Sequence, residues 1–159
     1  MMDLDQQLQV LIDEAPQDGT TPAVVAAIAP VLKQLATRLR HREYYVVQTL
    51  DGNWAVTTIS HQTQADLLKQ VIYAYPTLKD VAAGPYLLKD PQMIALPIPV
   101  THILFQLVAV DVIDSVIFFE TPGNTTIGTE IQREEAQVLV QTYLQQLQSA
   151  PTHLPPDIA

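Results

Sequence analysis

The sequence predicts an α+β fold, a single domain in which helices cover a mostly antiparallel sheet of four to five strands. Three observations predict it. Apolar residues recur at helical spacing before position 40 and again after 129, giving two N-terminal helices and a C-terminal one. Between 44 and 120 the chain instead carries β-branched and aromatic runs cut by Gly- and Pro-containing turns. Helices lead and hairpin-like strands follow, an order that fits α+β better than the strand–helix alternation of a doubly wound sheet. With 159 residues, 48% hydrophobic and 16% charged, the chain can bury one sizeable core. Residues 1–150 form that domain, and PTHLPPDIA at 151–159 reads as a flexible tail.

Each element has its own signal. Leu4, Leu8, Leu11 and Ile12 predict a short amphipathic helix ending near Pro16. Thr20-Thr21-Pro22 caps and opens a second helix to about Arg40, which Pro30 should kink or restart. Tyr44–Leu50 and Trp54–Ser60, joined by Asp51-Gly52-Asn53, predict a hairpin. A polar loop follows at 62–66, then a third strand over Leu68–Tyr75. Thr77 and Asp80 cap a short helix that Gly84-Pro85 stops.

Met93–Gly123 carries no Lys or Arg. It reads as a strand to Ile98, a helix opened by Pro99 with Ile103, Leu104, Leu107 and Val108 inward, an acidic turn, and a strand over Ser115–Glu120. Asn124–Gly128 is a loop. Thr129 and Gln132 then form a capping box for the last helix, with Ile131, Val138, Leu139, Tyr143 and Leu147 on its apolar face and Glu130, Glu134 and Glu135 at its N-terminus.

Composition narrows the function classes. Acids outnumber bases 17 to 8, for a net charge of −9, which disfavours nonspecific binding to nucleic-acid phosphates. There is no Cys, so thiol nucleophiles and thiolate metal sites are absent. MMDLDQQLQV has neither the basic nor the apolar part of a leader, and prolines interrupt the uncharged stretch Pro91–Val110. A cytoplasmic chain with no membrane span is expected.

No catalytic constellation stands out. His41, His61, His102 and His153 are dispersed without ligand spacing, so no metal or cofactor is assigned. Ser60, His61 and Asp66 lack a nucleophile-elbow motif. Asp111, Asp114 and Glu120 cluster around one strand; they are either turn and strand-end residues or paired carboxylates for acid–base or cation chemistry.

Two surface candidates remain. Lys33, Arg38, Arg40 and Arg42 are half of all bases, with His41 among them. They either complement a helix C-terminus or dock an acidic partner, an anionic ligand or the acidic N-terminal stretch. Trp54, Tyr73, Tyr75, Pro76, Pro97, Pro99, Phe119 and Pro122 fall at strand ends. They either punctuate the core or line an apolar groove for a partner.

The steps Tyr75-Pro76-Thr77-Leu78-Lys79-Asp80 and Val116-Ile117-Phe118-Phe119-Glu120-Thr121-Pro122-Gly123 resemble the N-terminal domain of the SseB family, over roughly Tyr44 to Gly123. That family typically has Asn where this chain has Thr121. The blocks YYVVQTLDGNWAVTTIS and VIYAYPTLKD also resemble a small cyanobacterial family, and that likeness implies a link to biofilm control and type IV pilus assembly. Neither resemblance implies an enzyme. The expected function is therefore a non-enzymatic interaction or regulatory module that docks a protein partner. The alternative is a small-molecule or metal-binding protein, or an enzyme, using carboxylates near Asp114 and Glu120.

Overall fold

The computed structural model of the chain describes residues 3–19, 21–60, 68–82, 92–110, 112–124 and 127–149, with side chains to 146. The expected Thr20 cap, the loop at 62–66, the Gly84-Pro85 stop, Asp111, the Leu147 side chain and the tail at 151–159 lie outside them. Helix α1 spans Leu4–Glu14 and opens on a capping box in which Asp3 accepts from the Gln6 N–H and Gln6 reaches back to the Asp3 N–H. Helix α2 spans Thr21–Ala36, and the Asp18 carboxylate takes the Thr21 N–H at 2.7 Å. Pro30 lies inside α2 without dividing it. Its ring faces solvent, while Val31, Leu32 and Leu35 beyond it are buried and hold the next turn in place.

The strands are β1 (Glu43–Thr49), β2 (Thr57–Ser60), β3 (Leu68–Tyr75), β4 (Met93–Pro99), β5 (Ser115–Phe119) and β6 (Gly128–Gln132). Helix α3 (Leu78–Ala82) follows β3, α4 (Val100–Ala109) follows β4, and α5 (Arg133–Ser149) closes the chain. The order across the sheet is β4-β1-β3-β5-β6, with β2 also on β3. The fold is α+β as expected. The sheet has six strands and is mixed, because β3 and β5 run parallel while the other pairs are antiparallel.

Two local expectations are corrected. The hairpin at Asp51-Gly52-Asn53 closes only at its tip, where Gln48 bridges Trp54 and the Ala55 N–H donates to the Val47 carbonyl. Then β2 leaves β1 and pairs with the N-terminal half of β3, while β1 pairs with the C-terminal half. The Thr129–Gln132 capping box is not a helix start. These residues alternate along β6, with Ile131 buried in the core and Glu130 on the opposite face.

The sheet has unequal faces. Tyr44, Val46, Ile72, Ala74, Val116, Phe118 and Ile131 join α1, α2, α4 and α5 in the main core. On the other face Val47, Tyr75 and Phe119 meet Val81 of α3 in a smaller cluster.

One polar group ties the helical layer to the sheet. Gln7 is 1% exposed. Its amide donates to the Arg42 carbonyl at 2.8 Å and accepts from the Thr101 N–H and hydroxyl at 3.1 and 2.8 Å. His102 adds a bond from Nε2 to the Gln7 carbonyl at 3.0 Å.

Gln7→Leu should therefore lower unfolding free energy by about 2–3 kcal/mol in a denaturant titration, because it takes the acceptor from the buried Thr101 N–H and hydroxyl, while the Arg42 carbonyl keeps the Val100 N–H. Gly128→Ala tests the β5–β6 contact, since a Cβ there would sit 2.8 Å from Ile117 Cγ2 and 3.0 Å from the Phe118 carbonyl oxygen. A loss of about 1–3 kcal/mol is expected.

Candidate functional site

Strand alternation divides the eight aromatic and proline residues between both faces of the sheet. Tyr73, Tyr75 and Phe119 gather on the α3 face, with Phe119 5.7 Å from Tyr73 and 5.2 Å from Tyr75 between ring centroids. Tyr75 and Phe119 are buried, so this is mostly sealed core. Pro76 is half-buried ahead of α3, and Pro122 is exposed in the turn after β5. Trp54, bridged to Gln48, instead lies on the helix face against the main core. These residues therefore do not line a single groove: Trp54 pairs with Gln48 and shares the face of Val46, opposite to the face of Tyr73, Tyr75 and Phe119.

Pro97 and Pro99 have a more specific place. The Leu50 N–H donates to the Gln92 carbonyl, and the Val100 N–H donates to the Arg42 carbonyl. These bonds bracket the β1–β4 ladder, so even-numbered residues of β4 turn their backbone groups toward β1. Odd-numbered ones turn outward. Pro97 and Pro99 thus sit where the free edge of the sheet would present N–H donors, and remove two of them.

The open apolar surface is elsewhere. A cleft of about 340 Å³ runs between the α1–α2 connection and α4, walled by Leu11, Val25, Ile98 and Phe105 with Trp54 at one side. A second, of about 320 Å³, continues past Trp54 toward Val56, Val112 and Ile113. Trp54 and Gln106 line both. Next to them on the helix face of β4, Ile94 and Leu96 are 41% and 38% exposed, because the helical layer ends before the sheet does. Of these residues the sequence reading singled out Trp54 alone. The alternation of Ile94, Leu96 and Ile98 was a usable signal; their exposure depends on which strand is the edge.

The basic stretch is largely used within the chain. Lys33 pairs with Asp5 at 2.8 Å and Arg38 with Glu135 at 3.3 Å, both at exposed positions. The acidic N-terminal helix is thus one of its targets, as the sequence allowed. Arg40 offers its backbone N–H to Glu120 at 3.1 Å, and His41 donates from Nε2 to the Glu120 carbonyl at 2.7 Å. Tyr44 donates its hydroxyl to the other Glu120 oxygen. Burial pushes the Tyr44 phenol far above the ordinary tyrosine range, and its hydrogen bond to Glu120 and that carboxylate's charge act in the same direction. Arg42 contributes its carbonyl to Gln7 and α4.

Asp114 and Glu120 lie at opposite ends of β5, about 20 Å apart at roughly 3.3 Å per residue, and do not form a pair. Asp114 accepts from the Gln70 N–H at 2.8 Å and faces Arg133 at 3.6 Å. Beside it, Glu130 receives both Lys69 and the Ser115 hydroxyl. Burial alone would raise the Glu130 carboxyl, but the hydrogen bonds from Lys69 and Ser115 and the Lys69 charge outweigh it and hold the carboxyl below its ordinary value. Asp80 accepts from the Thr77 hydroxyl at 2.6 Å and the Gly123 N–H at 2.8 Å. Among the described residues no three His, Asp or Glu side chains converge as metal ligands, and no helix is long and apolar enough to cross a membrane.

The chain matches no protein-family model, and no curated protein matches its sequence.

Both shifted groups predict pH effects. Tyr44 is raised on folding, so its contribution is complete below about pH 10, the unfolded value, and falls away above it. Absorbance titration should show Tyr44 ionising only as near-ultraviolet circular dichroism is lost, with Tyr44→Phe flattening that alkaline limb. Glu130 is lowered, so its contribution is present above the ordinary carboxylate range and is lost as pH falls through its folded value. Glu130→Gln should make the acid limb of stability shallower.

Proposed function

We propose that this chain is a non-enzymatic, cytoplasmic interaction or regulatory module that docks a protein partner at the apolar clefts on either side of Trp54. The observation that carries the reading is the division of labour among side chains. The groups best suited to chemistry, Tyr44, Glu120, Asp114, Glu130 and Asp80, are engaged in holding strand ends together. The clefts and the adjoining Ile94 and Leu96 are apolar surface that folding leaves open. The charged part of the surface contracts to Arg40 and Arg42, whose exposed side chains have no ion pair among the described residues. The resemblance to a cyanobacterial family extends the proposal to biofilm or pilus regulation.

Affinity capture from native cyanobacterial lysate, run in parallel with wild type and Leu96→Lys, tests the module. A partner retained by wild type and lost by the variant, at unchanged melting temperature, is the expected result. No enrichment across salt concentrations, or equal enrichment by both baits, would sink it.

A further inference from the structure

We propose that the partner's contribution to this surface is a basic amphipathic helix, lying on the β4 shelf beside α4 and supplying the position that the helical layer lacks. This rests on the interaction reading above. Ile94, Leu96 and Ile98 share the face on which α1, α2, α4 and α5 pack. Alternate strand residues lie about 6.6 Å apart, so the row spans about 13 Å, or roughly two and a half helical turns. Phe105 and Trp54 form a wall at its side, since both line the cleft that Ile98 floors.

An extended segment fits this site poorly. It would need the outward donors of β4, and Pro97 and Pro99 have none. Strand addition would also leave Ile94 and Leu96 uncovered, because their side chains stand on the face and not along the edge. A helix reaches them directly.

Charge around the clefts favours a basic partner there, with the exposed Arg42 lying beyond the Ile98 end of the row. Among the described residues, Glu14 is the only Asp, Glu, Lys or Arg lining the two clefts. Exposed Asp13 and Asp51 flank the lining at Glu14 and Gly52, and the chain carries −9 overall. Lys or Arg on the outer flanks of an apolar helix face would meet this field favourably.

Trp54 is the only tryptophan and reports on the site. The probe is a synthetic helical peptide of Leu and Lys at amphipathic spacing, with a Leu/Glu analogue and a scrambled Leu/Lys peptide as comparisons. The Leu/Lys helix should shift Trp54 emission to the blue saturably. The double variant Ile94→Ser with Leu96→Ser should bind it at least about tenfold more weakly with an unchanged melting curve. Equal binding of the scrambled peptide, or binding indifferent to the two Ser changes, would reduce the effect to general attraction by an acidic chain and overturn the proposal. A blue shift that tracks protein concentration alone, with a dimer in sedimentation, would assign the shelf to a second copy and also overturn it. If lysate capture depends on Leu96 but the Leu/Lys helix does not bind, the partner chemistry is wrong and the module reading survives; if both fail, neither does.

Discussion

Everything in this fold is arranged around the parallel pairing of β3 and β5. Parallel neighbours cannot be joined by a tight turn, so the chain between them must cross over. Here it does so through α3, β4 and α4, sending β4 to the far edge and bringing α4 back across the sheet. Strand β5 is buried at four of its five positions, which is why Ser115–Phe119 reads as a nearly continuous apolar run. Such a strand has few polar groups of its own, and its ends must be fixed by the residues just beyond it.

Those residues are the carboxylates. Asp114 joins the start of β5 to β3 and to the first residue of α5, and Glu120 joins its end to the turn between α2 and β1. Each accepts a backbone N–H that would otherwise compete for water at a partly buried strand end. The chemistry that a carboxylate beside a buried tyrosine suggests is thereby reinterpreted. Held above the ordinary tyrosine range by burial, the Tyr44 phenol donates to Glu120 and ties the end of β5 to β1.

Periodicity made most elements legible, and the failures have specific causes. The helices at Leu4 and Pro99, the strands at Leu68 and Ser115 and the Thr77–Asp80 cap all follow from residues within one turn or one strand of each other. The Asp51-Gly52-Asn53 turn was legible too, but not that β2 would take β3 as its partner. Turn chemistry decides only the first bridge, and beyond it β2 pairs with Leu68–Val71, where Thr57 lies opposite the buried Val71. Thr129–Gln132 satisfies a capping-box pattern and a period-2 pattern equally. Pairing with β5 broke the tie, because it buries Ile131 and gives Ser115 and Lys69 a carboxylate. Trp54 was identifiable as a surface candidate, but its companions were not, since only the tertiary arrangement makes β4 an edge and leaves Ile94 and Leu96 beyond the helices.

The two ends of the surface question meet at β4. An exposed edge strand invites pairing with any extended chain, and prolines at two of the four outward-facing positions weaken that invitation. The same strand displays isoleucine and leucine on the face above, where solvent contact is not required by anything in the backbone. A protein that only needed a quiet edge could have placed polar residues at 94 and 96 without disturbing the ladder, since both side chains leave the plane of the sheet. Edge protection combined with an uncovered apolar row therefore separates two kinds of contact. Backbone-directed pairing, which reads almost no sequence, loses two of its four donors, at Pro97 and Pro99. Side-chain-directed packing, which depends on shape and charge, is left to the exposed Ile94 and Leu96.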